Sequence, residues 1–460
     1  MRLPRARRFS LSGGLRVLLV ERRSVPVVNL QLLVLGGASA LDPSRAGLAS
    51  LTADMLDEGT ASRSALEVAG AFDLLGVPFY SSAGFDAGEV ELNVLTPRLG
   101  QAVELMAEVV LGPAFPDHEL ERVRSERKTR LLQDVDDPRA LATHAFARVV
   151  FGEGHPWGRP LLGTRGSLER LSRDDVARFY HEHYHPGAAT LIAVGDVGED
   201  DLLPLLEHHF GGWTPRPRVP VRLPDPPAVS GTRVYVVDKP GAPQSEVRVG
   251  GVAVDRATDD YFALTVMNTI LGGAFTSRLN LKLREEKGYT YGAGSGFSMR
   301  REPGPFVAHA AVHTPVTADA VSDVLGEIAR MGEEPVPADE LNRARRYVAL
   351  RLPQRFETVV DVTARLSELV LYDLPDDYFA TYVERVMAVT AEDVQGAARR
   401  HLDPERMVVV VAGDREAIEP PLRRLGFGDP EILAAPGEGD DAPVPGWPAA
   451  AAGGEGERRC

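Results

Sequence analysis

The sequence predicts an α+β chain built as a tandem duplication of two similar sheet-plus-helices domains, and three observations carry that expectation. Residues 171–196 align without a gap to residues 389–414: Asp175, Pro186 and Gly195 recur as Asp393, Pro404 and Gly413, each 218 positions later. Arg16 and Pro26 recur as Arg233 and Pro243, 217 positions on, and Ser62-Arg63 recurs as Ser277-Arg278, 215 positions on. Strand-like runs of valine and leucine alternate with longer helical patterns, and between the two copies residues 215–231 hold six prolines with no period of either kind. A proline-rich stretch of that sort reads as a linker. The expected layout is a first domain over 1–214, a linker over 215–231, a second domain over 232–434, and a disordered tail over 435–460, where glycine, alanine, proline and acidic residues dominate.

Residues 15–21 and 27–35 read as two strands closed by the Gly36-Gly37 turn. Residues 47–60 read as a buried helix, because Leu48, Leu51, Met55 and Leu56 fall at helical spacing, with Asp42 and Pro43 supplying a cap and a first-turn proline. The alternation from Val90 to Leu95 is a strand signal. Helices follow over 99–110, 117–134 and 139–150, the last two separated by Asp137-Pro138, and then a turn-rich loop over 155–163. A helix over 172–183 and a strand over 189–195 close the first copy.

Composition is that of an ordinary soluble protein, with 44% hydrophobic and 25% charged residues. A formal net charge of -15 argues against sequence-independent binding to nucleic acid or to an anionic membrane. The single cysteine, Cys460, rules out an internal disulfide framework and a cysteine metal cluster. The basic start is interrupted by Gly13, Gly14 and Arg16 before any apolar core forms, so the expected location is the cytoplasm.

Several motifs occur in a fixed order: Gly36-Gly37, the 47–60 helix, Asp136-Asp137-Pro138, His155-Pro156-Trp157-Gly158-Arg159-Pro160, Gly195-Asp196, Ser277-Arg278-Leu279, and the run from Leu283 to Tyr291. Together they resemble the insulinase (pitrilysin, inverted zincin) metallopeptidases over nearly the whole chain. That resemblance implies two related domains that form half of a clamshell closing over an unfolded peptide. In the family the first helix carries H-x-x-E-H, two histidine zinc ligands one turn apart with a general-base glutamate between them. Here the histidine positions are Ser50 and Asp54, and the glutamate position is Ala53. The family's third ligand, a glutamate 76 positions after the second histidine, falls on Arg130. All four degenerate zinc-site positions, Ser50, Ala53, Asp54 and Arg130, have lost the chemistry, so no metal is expected in this chain. The exchange of charge suggests that Arg130 pairs with Asp54 where the metal would sit; the alternative is that both face solvent.

Two histidine-bearing stretches read as structural. His181, His183 and His185 point in different directions on one helix, and His155 sits in a turn. The glycine turn at 271–277 borders the substrate chamber in the family, or else is a plain helix cap. Arg284 and Tyr291 stand out differently, because they keep the seven-residue spacing of the arginine and tyrosine with which the family's second domain reaches across to a zinc site. A guanidinium fork and a phenol O–H suit substrate binding and oxyanion stabilisation. The resemblance therefore implies a non-catalytic subunit of a heterodimeric zinc metallopeptidase. It would be inactive alone, with Arg284 and Tyr291 acting in trans and the zinc held by a homologous partner that cleaves unfolded peptides. The alternative is a structural or peptide-binding module with no role in hydrolysis.

Overall fold

In the computed structural model, which describes residues 6–434, the two copies build two six-stranded sheets. The first contains β1 (Arg7–Ser10), β2 (Arg16–Glu21), β3 (Val27–Leu35), β4 (Phe79–Ala83), β5 (Ala87–Leu95) and β6 (Ala189–Gly195) in the order β1-β2-β6-β3-β5-β4. The second contains β7 (Arg233–Asp238), β8 (Gln244–Val252), β9 (Ala293–Phe297), β10 (Pro305–His313), β11 (Val408–Gly413) and β12 (Glu431–Leu433) in the order β12-β7-β11-β8-β10-β9. Five strands correspond one to one. The parallel central pair starts at Arg16 opposite Thr190 in one sheet and at Arg233 opposite Val408 in the other. The sixth strand differs: β1 precedes the first sheet and runs antiparallel to β2, whereas β12 follows the second and runs parallel to β7.

Five helices of the first copy matter for the site: α1 (Leu48–Asp54), α2 (Ala65–Leu75), α3 (Leu99–Leu111), α4 (Asp117–Asp136) and α5 (Pro138–Phe151). Asp137 accepts a hydrogen bond from the Arg139 amide and starts α5 with Pro138 in its first turn, so the expected break between α4 and α5 is a cap. α2 is opened by a capping box in which the Ser64 hydroxyl accepts from the Glu67 amide and the Glu67 carboxylate accepts from the Ser64 amide.

The central strands β6 and β11 are buried at every position, so both faces of each sheet are covered. The alternation of side chains divides each strand between two cores. Val17, Leu19, Leu191 and Ala193 pack with α1 and α3 of their own half. Leu18, Val20, Ile192 and Val194 instead join the core of the second half, where the helix Val359–Leu371 lies across β3 and β6. The converse holds in the second sheet, where Val408, Val410 and Ala412 pack against Leu141, Ala145 and Phe146 of α5. Each half thus lends a helix to the outer face of the other's sheet. A polar contact marks each crossing: the Ser367 hydroxyl donates to Gln31 Oε1, and Arg248 donates to the Thr143 hydroxyl at 3.4 Å.

Residues 215–231 form no helix or strand. Among the described residues no helix is long and apolar enough to cross a membrane. The expected tail over 435–460, with Cys460, lies outside the described residues.

Candidate functional site

Helix α1 begins one residue after Gly47, whose φ of 91° is left-handed and whose added Cβ would stand 2.8 Å from Gly163 Cα. Asp42 does not cap this helix, contrary to the sequence expectation. Its carboxylate accepts from the Ser44 amide at 2.8 Å and caps a separate 3-10 turn, Pro43–Arg45. Leu48, Leu51 and Ala53 are fully or almost fully buried, so the inward face of α1 is core, and Ser81 ties it to β4 by donating to the Ala53 carbonyl at 2.8 Å.

Asp54 does form an internal ion pair, but its partner is Arg127. Arg130, the expected partner, is exposed on α4 and makes no ion pair with Asp54 among the described residues. The physical reason is helix phase. Leu120, Val123 and Arg127 form the buried stripe of α4, and Arg130 falls beyond its edge. Arg127 is 4% exposed. Its Nη2 and Nε donate to Asp54 Oδ2 at 2.6 and 3.1 Å, and its Nη1 donates to Ser50 Oγ at 3.0 Å and to the Gly47 and Leu162 carbonyls at 3.3 Å. The Ser50 hydroxyl in turn donates to the Leu161 carbonyl at 2.5 Å. Both positions that hold histidine in an H-x-x-E-H helix are therefore joined by one guanidinium, which also ties α1 to α4 and to the loop after His155.

Zinc does not fit these residues. Its sites need three or four thiolate, imidazole or carboxylate ligands, and arginine has no lone pair to offer. Here the set is a hydroxyl, a methyl and a carboxylate already holding a fixed cation. Among the described residues no group of three histidine, cysteine, aspartate or glutamate side chains is gathered for a metal. Just beyond α1, burial and the neighbouring Glu58 and Asp54 push Asp57 up to about 6, while Glu58 is paired with Arg122.

The histidines serve structure. His155 Nδ1 accepts from the Trp157 amide at 3.0 Å and caps a 3-10 turn, and burial together with the Arg300 charge lowers its pKa to about 4. His183 packs on Phe179 and on the Gly36 backbone, and burial lowers it also to about 4. His181 is exposed and His185 buried, so the three do not converge.

In the second half, the stretch 271–277 begins in a π-helical segment, Thr269–Gly273, pressed on β9, and continues as a turn: an added Cβ on Gly272 would lie 2.3 Å from the Ser295 amide nitrogen. Close backbone approach, rather than helix capping, is what requires glycine there. Arg284 sits in the next π-helical turn, Leu281–Glu286, its Cζ 4.6 Å from the centre of the Phe275 ring and its Nε 3.6 Å from Glu285 Oε1. Gly288, at φ 63°, ends that segment, and the following loop is pinned where the His313 amide donates to the Tyr289 carbonyl and the Ala293 amide to Asn280 Oδ1. This anchored loop presents Tyr291 with 89% of its surface exposed, and Phe275, which carries Arg284 over its ring, is 64% exposed. Among the described residues no hydrogen bond or ion pair joins Arg284 or Tyr291 to Ser50, Ala53, Asp54, Arg127 or Arg130.

Sequence reasoning missed Arg127, although a signal was present: it stands four residues after Val123 and seven after Leu120, on the apolar stripe of its helix.

Comparison with known proteins agrees with this layout. Residues 16–165 match the family model described as insulinase (peptidase family M16), and residues 170–348 match that of the peptidase M16 inactive domain. An uncharacterised zinc protease of Mycobacterium tuberculosis is 28% identical over 414 residues, 88% of this chain and 93% of the relative. One of Streptomyces coelicolor is 25% identical over 419 residues, 89% and 91% of the two chains. Among solved structures, a peptidase M16 inactive domain from Pseudomonas fluorescens superposes with a TM-score of 0.82 at 27% identity, covering 89% of this chain and 98% of that one. A chain of Complex III2 from Candida albicans shares the fold, at a TM-score of 0.75, 15% identity and coverage of 93% and 100%. Two M16 domain matches in tandem, on two sheets that share five corresponding strands, make this chain a member of the peptidase M16 (insulinase) family.

Proposed function

We propose that this chain is the non-catalytic subunit of a cytoplasmic heterodimeric zinc peptidase. A homologous partner brings the H-x-x-E-H helix and the zinc, and this chain contributes Arg284 and Tyr291 to the partner's site for cleavage of unfolded peptides. The observation that carries the reading is a contrast between the two halves. The ligand positions of α1 are closed around Arg127, whereas Arg284 is half-buried over the Phe275 ring and, among the described residues, free of any buried ion pair, and Tyr291 stays outward at 89% exposure on a loop pinned at both ends. A surface tyrosine of that exposure contributes little to its own chain's core, and holding it on an anchored loop gives a phenol O–H a defined direction. In the partner's site the metal would polarise the scissile carbonyl, while the Arg284 fork grips substrate and the Tyr291 phenol donates to the developing oxyanion.

The experiment is reconstitution. The purified chain alone leaves an unfolded peptide intact, the zinc-bearing homologue from the same cell alone is slow, and the mixture cleaves it. Association without any gain in cleavage would instead leave a structural or peptide-binding module.

A further inference from the structure

Arginines are gathered in one place in this acidic chain. Where the turn between β4 and β5 meets the second half, a cleft of about 880 Å³ opens, with Gln31 and residues 84–89 on one wall and the helix Val359–Leu371 on another. That volume suits a small-molecule ligand, and a cleft between two halves of a chain is a common place for one.

Its charge is not balanced internally. The Glu368 carboxylate is shared by three guanidinium groups: Arg256 at 2.9 Å, Arg355 at 3.1 Å and Arg365 at 2.5 Å. Three cations on one carboxylate leave two positive charges over. Arg351, exposed at the rim, donates to the uncharged Tyr347 hydroxyl at 2.5 Å. Arg300 enters from the turn between β9 and β10, with its Cζ 4.0 Å from the Phe85 ring centre and 4.4 Å from that of Trp157. Its Nη1 is buried and has no hydrogen-bond acceptor among the described residues, and a buried charged donor left without one is costly. Burial raises the pKa of the other two acids of the lining, Asp86 and Glu89, and Asp86 faces Arg300; with both counted, the lining still sets five arginines against three carboxylates. Aromatic faces complete the walls: the Tyr261 ring lies 3.7 Å beneath Arg256, and Tyr372 borders the same space.

Guanidinium forks match the paired oxygens of phosphate and carboxylate, and tyrosine rings take a flat body. We propose that this cleft binds a small organic anion carrying at least two negative charges, on phosphate or carboxylate groups, with a flat body resting on the tyrosine rings. The site is separate from Arg284 and Tyr291, neither of which lines the cleft, and it stands or falls independently of their role. Because both halves form its walls, its ligand braces one half against the other.

The test is calorimetric titration of the full chain at low salt with phenyl phosphate, with isophthalate and with neutral benzamide. The expected result is saturable binding of at least one of the two anions and none of benzamide; the tighter anion assigns phosphate or carboxylate as the recognised group. Arg355→Gln is expected to weaken binding by about tenfold or more, as loss of a desolvated charge contact does, and Arg351→Gln, at the exposed rim, by a smaller factor of about threefold that shrinks as salt is added. Arg351→Lys should retain much of it, and Arg343→Gln, on an exposed helix face, should change nothing. Since Arg351 is exposed and bonded to one phenol, its variant folds even if that of Arg355 does not. The proposal is overturned if neither anion saturates, if benzamide binds equally well, or if Arg351→Gln binds like the unaltered chain.

Discussion

Replacing Arg127 with methionine removes the guanidinium while keeping a side chain that fills most of its volume. The variant loses two charge-assisted bonds to Asp54, one bond to Ser50, and two longer ones to the Gly47 and Leu162 carbonyls. Breaking a buried ion pair costs about 3–5 kcal/mol, mostly because one charge is left buried and alone. Here the survivor is Asp54, whose side chain is 44% exposed and can rehydrate, so the low end applies. We expect a loss of about 3 kcal/mol. Urea unfolding followed by tryptophan fluorescence reads it directly, since Trp157 lies in the loop that Arg127 ties down. Arg130→Met is the control, and as an exposed substitution it should stay within about 0.5 kcal/mol of the unaltered chain. If Arg130→Met cost as much as Arg127→Met, or if both were silent, the account of a guanidinium bridging the former ligand positions would be wrong.

Two further outcomes follow from the same geometry. Installing Ser50→His, Ala53→Glu, Asp54→His and Arg130→Glu should give a chain that holds zinc poorly, because Arg127 remains among the new ligands and no outer hydrogen bonds orient the imidazoles. Adding Arg127→Leu should tighten zinc by about tenfold or more in competition with a chelator, and equal affinity with and without it would refute the electrostatic argument. The second outcome concerns pH. His155 stays neutral in the folded chain down to about 4, against an ordinary value of 6.5, so the unfolded chain takes up the proton first. The stability it contributes is complete above about pH 6.5 and declines toward pH 4, by up to about 1.4 kcal/mol per pH unit. His155→Asn keeps an acceptor for the Trp157 amide, and its urea midpoint should fall less than that of the unaltered chain between pH 7 and 5; parallel declines would count against the assignment.

The duplication is legible in the sequence because both copies keep Asp175, Pro186 and Gly195 or their equivalents at one interval, and the aspartate and the glycine each do the same local job twice. Asp175 and Asp393 close capping boxes with Ser172 and Thr390, and Gly195 and Gly413 end the central strands. α2 is legible by rule, through Ser64 and Glu67, although the sequence reading here leaves it out. The exchange of α5 and of the helix Val359–Leu371 between halves is not legible. An apolar helix face says that it must be covered, and nothing in its period says by which sheet. The same limit applies to Asp54. A fixed interval along the chain points to Arg130, but only the phase of α4 decides which of two arginines three residues apart turns inward. The arginine cleft is harder still to read, since Arg256, Arg300, Arg351 and Glu368 come together only through the tertiary packing of the second half, and the first half closes the cleft with Gln31 and residues 84–89.

The central claim is that Arg284 and Tyr291 act on a substrate held at another chain's zinc, and steady-state kinetics of the reconstituted pair test it most directly. With a saturating partner, Arg284→Ala is expected to raise KM as well as lower kcat, because the fork holds substrate. Tyr291→Phe, which removes one hydroxyl from an exposed ring and leaves folding untouched, is expected to lower kcat by about 100- to 1000-fold with little change in KM, the signature of a donor used in the transition state. Unchanged kcat in Tyr291→Phe, with the complex still assembled, would contradict the account.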